Sequence, residues 1–227
     1  MAHMADAETI RRMRERYDDL AVVCYINSTA ELKRYSDVCV TSANAVDIVR
    51  ALPNRDIFFI PDRNLARFVA EQVPEKHFIF NEGCCPVHEQ ISPEEVQKAK
   101  AEHPGAEVLT HPECTEALCR MSDYVGSTSG IIRYAGESSA EEFIVCTENG
   151  VRYELEKRYP HKRFYFTQTE PVCMDMKLIT LEKVLHVLKT GENEMDVTGN
   201  VRKEAKRPLA RMLELAGTKQ TAGPARG

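Results

Sequence analysis

No run of apolar residues here approaches the roughly 18 needed to cross a bilayer, so no membrane partner is expected. The N-terminus, with Arg11, Arg12, Arg14, Glu15 and Arg16, has no apolar signal-peptide core, and the expected location is cytoplasmic. There is no block of like charges, and the net charge is −5. A phosphate-backbone binder needs a basic surface, so nucleic acid is not an expected partner either. The eight cysteines include no CxxC pair, which argues against a zinc ribbon.

What is present is an ordinary globular composition, 43% hydrophobic and 29% charged over 227 residues, enough for one or two cores. Disulfides rarely persist in the cytosol, so the cysteines need another account. Cys24, Cys39 and Cys146 lie in short apolar runs and read as small hydrophobes. Cys84, Cys85, Cys114 and Cys173 sit beside Gly, Pro, His or polar residues and are the candidates for chemistry.

The chain repeats itself. Ser36-Asp37 recurs 86 positions on as Ser122-Asp123. The same ungapped offset carries Glu8, Thr29, Leu32 and Arg34 onto identical residues, and later Pro74, Lys76, Phe78 and Phe80. Apolar runs stay in register with the identities, which marks a duplication. Each unit reads as helix, strand, helix, strand, helix, strand, helix, strand. In the first these fall at 7–17, 21–26, 29–35, 38–41, 43–51, 57–60, 64–72 and 77–80. In the second they fall at 93–103, 107–110, 115–121, 124–127, 129–135, 143–146, 150–158 and 163–166. Short apolar strands alternating with helices predict an α/β fold: repeated three-layer αβα units with parallel sheets. The expected division is 1–91, 92–190, and 191–227 for a linker, a C-terminal helix and a disordered tail. Thr180 caps a predicted helix with Leu181, Val184, Leu185 and Leu188 on one face, and Pro208 is expected to kink the last helix, over 201–215.

Ligands of parallel α/β units bind at the carboxyl ends of the strands. There the repeat lays Tyr25-Ile26-Asn27 over His111-Pro112-Glu113, and Thr41-Ser42 over Ser127-Thr128. His111 and Glu113 read either as a general acid–base pair or as a turn whose glutamate caps the next helix. The hydroxyls read either as helix caps or as donors to a carboxylate or phosphate. Cys85 ends the first unit and Cys173 the second, within two residues of equivalence. Thiols from equivalent loops point to a shared metal; iron–sulfur ligation suits them, and zinc is open by residue type.

The segments Tyr25-Ile-Asn-Ser-Thr-Ala-Glu, Asp37-Val-Cys-Val-Thr-Ser-Ala-Asn-Ala-Val, Pro61-Asp-Arg-Asn-Leu-Ala, Gly83-Cys-Cys-Pro-Val-His, His111-Pro-Glu-Cys, Gly126-Ser-Thr-Ser and Cys173-Met-Asp-Met-Lys together resemble the quinolinate synthases. The resemblance runs from about Met1 to Leu215. It implies three similar α/β domains meeting at one active site, and a four-iron–four-sulfur cluster acting as a Lewis acid. It further implies condensation of iminoaspartate (iminosuccinate) with dihydroxyacetone phosphate to quinolinate, with loss of phosphate and two waters, in NAD biosynthesis. Cys85 and Cys173 are the implied cluster ligands, and Cys84 falls at a variable position. Glu113, His111 and Tyr25 are the implied proton-handling groups. Ile26, Asn27, Ser42, Pro112 and Thr128 join them in binding substrate, and His88 contacts it beside the cluster. Functional coupling to an aspartate oxidase or dehydrogenase is also implied.

One repeat before Cys85 falls just ahead of Met1. The expectation is therefore that the family's first domain and its cysteine lie outside this chain, which alone supplies two of three walls and little catalysis. Two other readings stay open: a non-catalytic carboxylate-binding module or subunit completing another chain, and a zinc-dependent lyase using Cys85, His88 and Cys173.

Overall fold

The computed structural model describes residues 1–217. Apart from Gly217 itself, the expected disordered tail lies outside the described residues. The first unit contains α1 (Ala7–Arg16), β1 (Leu20–Tyr25), α2 (Ala30–Lys33), β2 (Val38–Val40), α3 (Ala45–Ala51), β3 (Asp56–Ile60), α4 (Arg63–Gln72), β4 (His77–Phe80) and the short α5 (Pro86–Glu89). The second contains α6 (Pro93–Glu102), β5 (Glu107–Thr110), α7 (Glu116–Arg120), β6 (Tyr124–Val125), α8 (Thr128–Glu137), β7 (Glu142–Cys146), α9 (Val151–Arg158), β8 (Arg163–Tyr165) and the short α10 (Met174–Lys177). Then come α11 (Leu181–Thr190) and α12 (Gly199–Gly217).

The strands form two four-stranded parallel sheets, ordered β2-β1-β3-β4 and β6-β5-β7-β8. Register repeats with the sequence: Val22 faces Phe58, and 86 positions on Val108 faces Ile144. The expected α/β class is what folds. Helices cover both faces of each sheet. In the first unit Val23 and Phe59 pack on one side, with Leu65 and Val69 of α4, while Val22, Phe58 and Ile60 pack on the other with Ile10 of α1. Each large aliphatic or aromatic side chain buried this way stabilises by roughly 1.5–3 kcal/mol.

The recurring identities have local reasons. Asp37 accepts the Val22 amide at 2.7 Å, and Asp123 accepts the Val108 amide at 2.7 Å. Ser36 and Ser122 hydroxyls donate to the carbonyls of Leu32 and Leu118. Lys76 ties down the Leu52 carbonyl, and Lys162 that of Ser138. Thr29 and Thr115 cap α2 and α7. Ser92 caps α6 through the amides of Glu94 and Glu95, with Pro93 in the first turn.

Two expected bounds need correction, and two further points go beyond what was expected. β6 is shorter than the strand predicted over 124–127, because Ser127 already caps α8, accepting the Gly130 amide. The last helix is longer than predicted, Gly199–Gly217, and holds Pro208 inside it as the expected range did. It packs on β2, α2 and α3, where Glu204 meets Arg34 at 2.5 Å. Leu181, Val184, Leu185 and Leu188 of α11 do share a face, yet all four are exposed. The helices α5 and α10 were not foreseen; each begins at a candidate cysteine, with Cys85 and Cys173 at their N-caps.

Candidate functional site

The strand ends deliver their loops to one cavity of about 850 Å³. From the first unit come Tyr25 at the end of β1, Asn27 just after it, and Cys85 and His88 after β4. From the second come His111 and Glu113 after β5, Thr128 after β6, Thr147 and Glu148 after β7, and Cys173 and Lys177 after β8. Both cysteines of the sister loops therefore wall the same space. Ile26, Ser42 and Pro112 are not among its lining residues. Ile26 packs into the first core and lends its carbonyl to Lys33 at 2.9 Å. Ser42 is half-buried outside that lining, and Pro112 is buried within the turn. Cys84 lies outside the lining, and Cys114 and Cys119 belong to the second core.

At the centre is a buried acid–base cluster. His88 Nδ1 stands 2.8 Å from Glu113 Oε2 and 3.2 Å from Cys85 Sγ. Its Nε2 meets the Thr147 hydroxyl at 3.0 Å, so the ring is held at both ends. His111 stacks on it, with ring centroids 4.6 Å apart. The Glu113 amide donates to His111 Nδ1 at 3.4 Å, which makes that nitrogen an acceptor and leaves the ring proton on Nε2. The 4.0 Å approach of His111 to the Glu113 carboxylate is therefore not an ion pair. Burial holds His111 down to about 4, against the pull of Glu113, so it is neutral at physiological pH.

Burial pushes Glu113 up, but the His88 hydrogen bond and the two histidine rings outweigh it and hold the carboxyl at about 2. It is ionised, and its Oε1 is buried with no hydrogen-bond partner among the described residues. An orphaned anionic oxygen on a residue that lines a cavity is a place for a cation or a substrate proton. The Tyr25 phenol is pushed well above its ordinary range by burial and by Glu113, so it stays protonated and available as a donor. Burial, then the Glu113 charge, pushes the Cys85 thiol up to about 12. Without a cation it stays a thiol; a bound metal reverses that, because a coordinating thiol deprotonates. Cys85 Sγ, a His88 nitrogen and a Glu113 oxygen all lie within 4.8 Å of one another, so they could hold one metal ion. Cys173 approaches the same cavity from the other sheet.

Sequence reasoning missed the supports. Asp62 accepts the Cys85 amide at 2.8 Å, and burial together with Glu113 pushes its carboxyl up to about 7. Asn64 bridges the units, donating to Glu89 at 2.6 Å and to the Glu113 carbonyl at 3.0 Å. Glu148 accepts the Cys173 amide at 3.2 Å and pairs with Lys177 at 3.0 Å. Gly83 lets the Cys85 loop approach the strand end: a Cβ there would fall 2.5 Å from the Pro61 carbonyl oxygen. The motif Pro61-Asp-Arg-Asn was visible, but only the fold joins it to the cysteine.

A duplicated parallel α/β protein with a thiol- and imidazole-lined cavity at its strand ends is the class that fold and site define. The chain matches the family described as quinolinate synthetase A protein over residues 1–214. A quinolinate synthase of Fusobacterium nucleatum is 49% identical over 217 residues, covering 96% of this chain and 72% of that relative. One from Clostridioides difficile is 44% identical, covering 95% and 71%, and quinolinate synthase 2 of Methanosarcina acetivorans is 44% identical, covering 96% and 70%. The chain belongs to the quinolinate synthase family. No helix among the described residues is long and apolar enough to cross a membrane.

Proposed function

We propose that this chain takes part in making quinolinate from iminoaspartate and dihydroxyacetone phosphate, a transferase reaction that releases phosphate and two waters. Cys85 and Cys173 are the residues proposed to hold a four-iron–four-sulfur cluster. When bound, that group supplies Lewis acidity, polarising a substrate oxygen and easing departure of hydroxide. Its fit here rests on two thiols from opposite sheets walling one cavity beside an orphaned carboxylate oxygen. The observation that carries the reading is the convergence of Tyr25, His88, His111 and Glu113 with both cysteines on that cavity.

In this reading Glu113 Oε1 accepts the proton released on enolisation. At about 2 its carboxyl is a weak base in the free protein. Substrate carboxylates and phosphate bring negative charge that raises it toward usefulness. Tyr25, held protonated, donates to a substrate oxygen. His111, neutral with its proton on Nε2, donates a hydrogen bond rather than a charge. Asn27 and Thr128 on the walls hold the anionic groups, and Ser42, Ile26 and Pro112, outside the lining, shape the loops that carry them. The units 1–91 and 92–190 are proposed as the family's second and third domains, a division supported by their identical strand orders, and 191–227 as the remainder. A reducing cytoplasmic setting belongs to the proposal because it keeps thiols free for iron, as does an aspartate oxidase or dehydrogenase supplying iminoaspartate.

The low position of Glu113 favours a second reading, a carboxylate-binding module without turnover. Anaerobic reconstitution with iron and sulfide, followed by quinolinate formation and quinolinate binding, separates the two. Turnover that falls by roughly 10²-fold or more in Glu113→Gln, at unchanged iron content, supports the synthase. Iron and quinolinate binding without turnover supports the module, and neither would sink both.

A further inference from the structure

Two carboxylates one repeat apart do the same work for the two cysteines. Asp62 and Glu148 each stand two residues past a strand, β3 and β7. Asp62 Oδ2 accepts the Cys85 amide at 2.8 Å, and Glu148 Oε1 accepts the Cys173 amide at 3.2 Å. The second oxygen of each takes an amide near the start of the following helix: Leu65 for Asp62, at 2.7 Å, and Gly150 for Glu148, at 2.7 Å. Both side chains are buried, Asp62 completely and Glu148 to 9% exposure.

Simple copying of the backbone does not explain this match. Asp62 precedes its cysteine by 23 residues and Glu148 by 25. The second loop is thus two residues longer, and the carboxylate that reaches into it is one methylene longer. Each unit nevertheless ends with a carboxylate oxygen on the backbone amide of the residue that presents a thiol to the cavity. That bond fixes the cysteine backbone, and with it the direction of the Cα–Cβ bond, against a rigid strand end. The carboxylate spans strand end, helix start and cysteine at once, which no single-acceptor side chain can do.

We infer that Asp62 and Glu148 are positioning residues that hold Cys85 and Cys173 in the geometry needed to share one metal centre. The inference rests on the reading in which those two thiols are the ligands. It adds residues that act through the cysteine backbone rather than as ligands, as groups behind metal ligands do.

The test uses amide variants, because Asp62→Asn and Glu148→Gln keep shape but lose one acceptor, setting an N–H against an N–H. The metal-free protein is titrated anaerobically with Co²⁺, following the thiolate-to-cobalt charge-transfer absorption, beside Cys85→Ala and Cys173→Ala. Either amide variant is expected to weaken Co²⁺ binding by roughly 10–100-fold and to diminish the thiolate band at saturation. The metal-free melting temperature is expected to stay within a few degrees of native, a separation that a purely structural role would not give. If buried Asp62→Asn does not fold, Glu148→Gln decides alone. Native affinity and a native band in the amide variants would overturn the inference, provided that each cysteine substitution lowers the band. A band unaffected by either cysteine substitution would sink the shared-metal reading itself.

Discussion

His111 and Glu113 show how one turn sets two protonation states. They are two residues apart, both buried, and both held below their ordinary values. For His111 the sign is plain: the unfolded chain takes a proton near 6.5, the folded one only near 4. Between those values the unfolded state binds more protons, so this residue's contribution to stability is lost as pH falls from 6.5 to 4. Asp62 opposes it, because its folded value near 7 lies above the ordinary 3.8 of an aspartate, and stability from that group falls as pH rises through the same window. The native curve is therefore flattened, and the comparison with a variant is what isolates His111. His111→Gln should become more stable relative to native by on the order of 3 kcal/mol between pH 6.5 and 4, measured by urea unfolding. A pH-independent difference would mean that His111 titrates normally.

The helices show what periodicity can and cannot say. Every strand and every predicted helix of the two units was legible, because apolar runs, caps such as Ser92 and Thr115, and the repeat all agreed. The stripe of α11 was legible too, but not its environment: a moment says that a helix has a face, not what covers it. Leu185 is 51% exposed, whereas Leu65 of α4, on a similar stripe, is fully buried. Leu65→Ala should cost roughly 2–5 kcal/mol of unfolding free energy. Leu185→Lys should change it by less than about 0.5 kcal/mol in the same denaturation series. Equal losses would show that α11 packs on the body of this protein. The short helices α5 and α10 escaped prediction because Cys is a poor capping signal, whereas the equally short α2 opens on Thr29.

On the scale of the molecule, the duplication separates frame from chemistry. Residues that recur unchanged, such as Asp37 and Asp123 or Lys76 and Lys162, bind backbone groups in the same way in both units. Positions that differ between units, Tyr25 against His111 and Asn27 against Glu113, line the cavity. That contrast made the wall residues readable from one sequence. The supports at Asp62, Asn64, Thr147 and Glu148 were not readable, because their partners lie 23, 49, 59 and 25 residues away and only folding brings them together.

The proposed shared grip of both thiols on one inorganic centre is what joins the two units in one function. Iron and acid-labile sulfide per chain after anaerobic reconstitution, in the native protein and in Cys85→Ala and Cys173→Ala separately, measures this most directly. The prediction is that the native chain retains both elements and that either substitution alone removes most of each. Retention unchanged by one of the two substitutions, or no iron in the native chain, would contradict it.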